Sequence, residues 1–123
     1  MNKVVIDTNF ILNCIREKID LFENLQEIGF KIVIPVRVIE ELNQIKNSKQ
    51  KLKHRDEAEL ALKILDKYSF EKIKLESKNT DNGLVIYLKK NPDLFFATMD
   101  RNLSKKVKNR KIVLRSKKKL EVL

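Results

Sequence analysis

The 123 residues are the size of one ordinary domain and too few for two, and 42% hydrophobic residues suffice to bury a core. No stretch approaches the roughly 20 apolar residues that span a bilayer, and Cys14, the only cysteine, excludes an internal disulfide and reads as a small buried hydrophobe. The net charge of +10 is concentrated at one end, where Arg101 to Leu123 holds ten Lys or Arg against one Glu, a block that marks either a polyanion partner or a solvated basic surface.

The chain opens MNKVVIDTNF, with one basic residue ahead of a short apolar run that contains Asp7. That is not the pattern of a secretory leader, so a soluble, cytoplasmic protein without a membrane partner is expected. Lys3 to Ile6 reads as a strand buried on both faces. Asp7-Thr8-Asn9 supplies helix-capping side chains, and Ile11, Leu12, Ile15, Ile19, Leu21, Phe22 and Leu25 predict one helix to about Ile28, stopped by Gly29. A second strand covers Ile32 to Ile34, closed by Pro35, and a helix follows from Val36 to Asn47. Lys46 to Arg55 is polar and basic and reads as a loop. Glu57 to Tyr68 is predicted helical, Ile73 and Leu75 mark an edge strand, and Asp81 to Lys90 is a helix ended by Asn91-Pro92. Leu94 to Thr98 reads as a strand, Asp100 to Lys108 as a short helix and Ile112 to Leu114 as the last strand. The alternation predicts a single α/β domain over 1–123, a three-layer α/β/α sandwich on a mainly parallel sheet of four to five strands. Two glycines leave no room for a glycine-rich phosphate loop, so a dinucleotide or P-loop site is excluded.

Asp7 directly follows the first strand and Asp100 follows the fourth. In open parallel sheets ligands bind beyond the carboxyl ends of the strands, which puts both acids on one edge. A single acid there often only caps the next helix; two at equivalent places argue for a site. Helical geometry, about 100° per residue, puts Val38, Leu42 and Ile45 on one stripe of the Val36 helix. Glu41 falls at the margin of that stripe and Glu40 points to solvent. Asp81 shares a face with Leu84, Val85 and Leu88, either as a partner for the helix dipole or as a fourth acid aimed at the same pocket. Four unpaired carboxylates in one place repel and resist ionisation, and a divalent cation resolves this. Oxygen-only ligands favour Mg²⁺ or Mn²⁺ over Zn²⁺. His54, the only histidine, has no second nitrogen ligand near it in sequence and reads as a surface residue.

These segments resemble the PIN-domain nucleases in order and spacing over nearly the whole chain. VVIDTNFIL, with Asp7 and Asn9, is similar to the family's first motif. PVRVIEEL resembles the segment with its second acid, matched by Glu41 rather than Glu40. TDNGLVIYL resembles the third, in which Asn82 replaces a second aspartate and only Asp81 carries over. FATMDRNLSKKVK, with Thr98 and Asp100, resembles the fourth. The resemblance implies an endoribonuclease that prefers single strands, uses one or two Mg²⁺ or Mn²⁺ ions and often forms a dimer. Asp7, Glu41, Asp81 and Asp100 would hold the metal directly or through water, and Asn9 and Thr98 would orient water or a carboxylate. MDRNLSKKVK and IVLRSKKKLEV look most like members that process ribosomal RNA, with ribosome-biogenesis partners. Toxin members, partnered by an antitoxin, come next, and a non-catalytic RNA-binding member is the third reading.

Two basic clusters flank the acids in sequence: Lys46, Lys49, Lys51, Lys53 and Arg55 after Glu41, and Lys105, Lys106, Lys108, Arg110 and Lys111 after Asp100. Both are expected to grip RNA phosphates. Two other functions fit less well. A signalling receiver also places acids after parallel strands, and Lys117 stands where its lysine would be, but Asp7 lacks an adjacent acid and the third strand ends in Ser77-Lys78-Asn79. A phosphatase built on Asp-x-Asp needs an acid where Asn9 stands.

Overall fold

A computed structural model of the chain describes residues 1–115 and 119–123; Lys117 therefore lies outside the described residues. The apolar run after Lys3 becomes strand β1 (Asn2–Ile6), and Val4, Val5 and Ile6 are inaccessible to solvent. Burial on both faces is what a near-continuous apolar strand implies in a parallel sheet covered by helices. The other strands are β2 (Phe30–Pro35), β3 (Glu71–Ile73), β4 (Phe95–Ala97), β5 (Lys111–Arg115) and β6 (Lys119–Val122). They form one sheet in the order β3-β2-β1-β4-β5-β6. The first five run parallel, in the registers Val4 opposite Ile32, Val4 opposite Phe95, Val33 opposite Glu71 and Ala97 opposite Ile112; β6 alone is antiparallel, on β5.

Alternate residues of the central strands feed two cores. Val4, Ile6, Ile32 and Ile34 face helices α1 (Thr8–Arg16), α2 (Leu21–Glu27), α3 (Val36–Lys46) and α4 (Leu52–Leu65), packing with Phe10, Leu25, Val38, Leu42 and Ala61. Val5, Val33 and Phe96 face the opposite way, onto Leu84 and Leu88 of α5 (Thr80–Lys90), Leu103 of α6 (Arg101–Lys105) and Val107. This is the expected α/β/α sandwich. None of the described helices is long and apolar enough to cross a membrane.

The sheet has six strands rather than four to five. Lys119–Val122 reads in sequence as a basic tail because an exposed edge strand needs no apolar face, and only Leu120 is partly buried there. The single helix expected to reach Ile28 is two. Lys18 takes a left-handed backbone (φ 59°), and the Asp20 carboxylate accepts from the Glu23 N–H to start α2. The apolar spacing runs on through the break, so periodicity alone does not see it. Gly29, at φ 92°, ends α2 as expected. The basic loop expected from Lys46 to Arg55 is short, because α4 begins at Leu52. Its first turns are polar because they are exposed; the buried Glu57 is matched by Arg16 in two bonds of 3.0 and 3.1 Å.

Candidate active site

The strand order reverses between β1 and β4: from β1 the chain proceeds to β2 and β3 on one side, then returns to β4 on the other. At such a switch point the connections leave in opposite directions and open a crevice at the carboxyl ends of the strands. Asp7 is the residue after β1, and its N–H still pairs with the Ala97 carbonyl at the end of β4. Asp100 follows β4 by three residues and caps α6, accepting from the Leu103 N–H at 3.0 Å. Glu41 reaches the same crevice from the second turn of α3, and Asp81 from the first turn of α5. Arg37 donates to the Ser77 and Lys78 carbonyls and so fastens the segment that leads into α5 against α3.

Asp7, Asn9, Glu41, Asp81 and Asp100 line one cavity of about 310 Å³, together with Thr8, Gln44, Ile45, Thr80, Leu84 and Leu103. Thr98 lies behind it, buried, with its hydroxyl 2.5 Å from Asp7 Oδ2 as donor and accepting from the Asp100 N–H at 3.1 Å. One hydroxyl thus couples the two strand-end aspartates. Asp7 Oδ1 caps α1 by accepting from the Phe10 N–H at 2.9 Å. Only 8% exposed, Asp7 has its pKa raised to about 6. Burial is the main cause, and the negative charges of Asp81 and Asp100 push the same way against the Thr98 and Phe10 hydrogen bonds. Glu41 is held differently. Thr8 Oγ1 donates to its Oε1 at 2.5 Å and Thr80 Oγ1 to its Oε2 at 3.2 Å, so the first residues of α1 and α5 grip one carboxylate. Glu40, one position earlier, is exposed.

Sequence reasoning missed Thr8, Thr80 and Gln44. Thr8 stands inside the Asp-Thr-Asn triplet and Thr80 just before Asp81, so the available signal was a hydroxyl beside each of two acids at a helix start. Of the basic residues, Lys46 ends α3 next to Ile45 on the cavity wall; Lys49, Lys51, Lys53 and Arg55 follow, all four exposed, with Lys53 lining a separate cavity beside Ile15 and Arg16 and Arg55 donating to the Lys46 carbonyl. Lys105, Lys106 and Lys108 are exposed on and after α6. Arg110 and Lys111 serve the fold instead. Arg110 donates to the Leu123 carbonyl and lies 4.8 Å from the Phe95 ring centre. Lys111 donates to the Val107 and Asn109 carbonyls, and burial lowers its pKa. Cys14 and His54 fall as expected: the thiol is buried and pushed up to about 12, and the imidazole is partly exposed beside Glu57.

A divalent ion fits this cavity in the kind and charge of its donors. The side chains ring the space rather than converge, and among the described residues no three His, Cys, Asp or Glu form a ready-made shell. Mg²⁺ asks for no such shell; it keeps several waters and is commonly held by one or two carboxylates and the substrate's own phosphate. The elevated pKa of Asp7 has the same sense, since a buried acid facing two others gains most from a cation.

A family model described as a PIN-like domain matches residues 4–117. Ribonuclease VapC4 of Methanocaldococcus jannaschii is 28% identical over 128 residues, covering 99% of this chain and 97% of that protein. The rRNA-processing protein fcf1 of Schizosaccharomyces pombe is 32% identical over 107 residues, 85% of this chain but 53% of fcf1, so the chain spans about half of that relative. The solved structure of the PIN domain endonuclease Utp24 matches with a TM-score of 0.77 at 27% identity, over 98% of this chain and 90% of that one.

Proposed function

The chain belongs to the PIN-like domain family, and from that membership we propose that this ribonuclease is a Mg²⁺- or Mn²⁺-dependent endonuclease that hydrolyses phosphodiester bonds of single-stranded RNA in the acidic cavity. The observation that carries the reading is the set of four acids from four elements on the wall of one cavity at the switch point of the sheet. A bound divalent ion supplies a water of lowered pKa and neutralises charge gathering on the phosphate. Asp7, Asp81 and Asp100 would supply the negative charge that holds it, together with Glu41. Thr98 fixes the rotamer of Asp7 by donating to Oδ2, while Thr8 and Thr80 do the same for Glu41. Asn9, exposed and lining the cavity, would orient water or a phosphate oxygen. Lys46, Lys49, Lys51, Lys53 and Arg55 on one side and Lys105, Lys106 and Lys108 on the other hold the RNA backbone.

Ribosomal-RNA processing, with a ribosome-biogenesis partner, is the preferred biological role, supported by the likeness to fcf1. A toxin ribonuclease that is restrained by an antitoxin is the second reading, favoured by the end-to-end match to VapC4. A homodimer belongs to either. The test of the activity is a metal titration of the purified protein on single-stranded RNA. Cleavage is expected with Mg²⁺ or Mn²⁺ and lost on chelation. Binding without cleavage at every metal tried would contradict the reading and make the chain a non-catalytic RNA-binding member.

A further inference from the structure

A second cavity adjoins the acidic one and differs from it in the chemistry of its wall. Its volume is about 280 Å³, and Asp100 lines both. It lies between α6 and the far end of β5, and its wall includes Met99, Val113 and Leu114, with Ser104 on one side and Arg101 and Lys105 at the mouth. Its size is at the lower end for small-ligand pockets, roughly 300 Å³, so it admits one small group. Met99 is the informative residue. It is 42% exposed although it sits between Thr98, which holds Asp7, and Asp100. Val113 and Leu114 are only partly covered. An apolar floor therefore opens to solvent immediately beside the acids, and a thioether adapts its shape to different flat surfaces. Ser104 offers a hydroxyl at the edge of that floor. Arg101 and Lys105 are exposed and, among the described residues, have no hydrogen-bond or ion-pair partner, whereas Arg115 pairs with Glu121 at 2.7 Å. Lys105 also lines a third cavity with Lys89, Lys106 and Lys108, so positive charge continues away from the acids along this side.

An apolar seat, the Ser104 hydroxyl (that of Thr98 is taken up by Asp7 and the Asp100 N–H) and two cations without a partner among the described residues, next to a site for a phosphodiester, match the parts of a nucleotide. We propose that this cavity seats the nucleotide adjoining the cleaved bond of a single-stranded RNA. Its base lies on Met99, Val113 and Leu114, and its phosphate meets Arg101 and Lys105. The inference rests on the ribonuclease reading and adds to it a place where sequence is sensed. A base splayed out of a single strand exposes its face and its pairing edge to a protein. The floor takes the face, and Ser104 is placed for an edge. Among the described residues no aromatic ring lines the cavity, so the preference comes from fit and from the Ser104 hydroxyl rather than from stacking.

The experiment maps cut positions on a random pool of single-stranded RNA with the wild type, Met99→Ala, Ser104→Ala and Arg101→Ala/Lys105→Ala, each checked for an unchanged melting profile. A second arm measures binding of the same RNA across a salt series in Ca²⁺. The wild type should show unequal base frequencies at one position next to the cut. Met99→Ala and Ser104→Ala should flatten that position and leave more distant ones alone. The double variant should bind with a log–log salt slope shallower by about 0.7, the loss of one phosphate contact on a single strand. An unaltered base profile in both single variants, or an unaltered slope in the double variant, would overturn the seat while leaving the nuclease reading intact. A wild type that cuts nothing would contradict the nuclease reading, and the binding arm would still decide whether the two cations meet a phosphate.

Discussion

Asp7 concentrates the physical tension of this protein in one carboxyl group. It caps a helix, accepts from a buried hydroxyl and faces two other acids, and its pKa rises from the ordinary carboxylate value of 3.8 to about 6. An acid with a raised pKa binds its proton more tightly folded than unfolded. Stability therefore falls as pH climbs from about 4 to about 6, and the full cost, on the order of 3 kcal/mol, is present above that window. Asp7→Asn keeps an acceptor for the Phe10 N–H and removes the charge. In metal-free protein the melting temperature of the wild type should drop relative to Asp7→Asn as pH rises through this range, and Mg²⁺ or Mn²⁺ should restore the wild type more than the variant. A difference in melting temperature that stays constant with pH would mean that the Asp7 charge is not what burdens the fold. Each of these acids was legible in the sequence from its place after a strand or beside an apolar stripe. The hydroxyls that hold them were less so, because a threonine at a helix start is equally at home as a cap.

Among the elements, α5 depends most on a single small residue. Gly83 lies one turn into the helix, beside Asp81, and a Cβ there would stand 2.8 Å from the Leu75 Cβ. Gly83→Ala gains about 1 kcal/mol of helix propensity, but the close approach forces α5 and the segment after β3 that carries Leu75 apart at a cost of about 1–3 kcal/mol. The expected result is a net loss of stability by denaturant titration, with weaker cleavage as Asp81 shifts; a stabilised variant with full activity would show that α5 has slack. The helices and central strands were readable because burial imposes periods on them. The missed pieces share one cause. At Lys18 the chain turns without an apolar signal, in the first turns of α4 the polar run Lys53, His54, Arg55 and Asp56 imitates a loop, and β6 is an edge strand without a buried face. Each lies where the surface does not constrain side-chain type.

At the scale of the whole molecule, four acids line one cavity while exposed lysines follow α3 and occupy α6, the charge pattern that the proposed activity on single-stranded RNA calls for. On the proposed reading, the net charge of +10 draws the RNA backbone in, and the acids would admit a phosphate only together with a cation. Binding in Ca²⁺ should weaken steeply as salt rises. Lys49→Ala/Lys51→Ala should reduce both affinity and slope by the loss of one or two contacts at about 0.7 each; an unchanged slope would remove the loop after α3 from the RNA path. Charge totals in the sequence left a polyanion partner and a solvated basic surface both open, and could not separate Arg110 and Lys111, which hold carbonyls and a ring, from Lys105 and Lys106, which hold nothing within the described residues. The most direct measurement of the central claim compares Glu40→Gln with Glu41→Gln, neighbours in one helix of which only the second lines the cavity. Both proteins, matched for melting temperature, are assayed for Mn²⁺-dependent cleavage of single-stranded RNA beside Asp7→Asn and Asp100→Asn. Glu40→Gln should cleave as the wild type does, and the other three should lose about 100-fold or more, as expected when several kcal/mol of transition-state stabilisation disappear. Equal activity of Glu40→Gln and Glu41→Gln, or cleavage that survives in both aspartate variants, would contradict the assignment of this cavity as the active site.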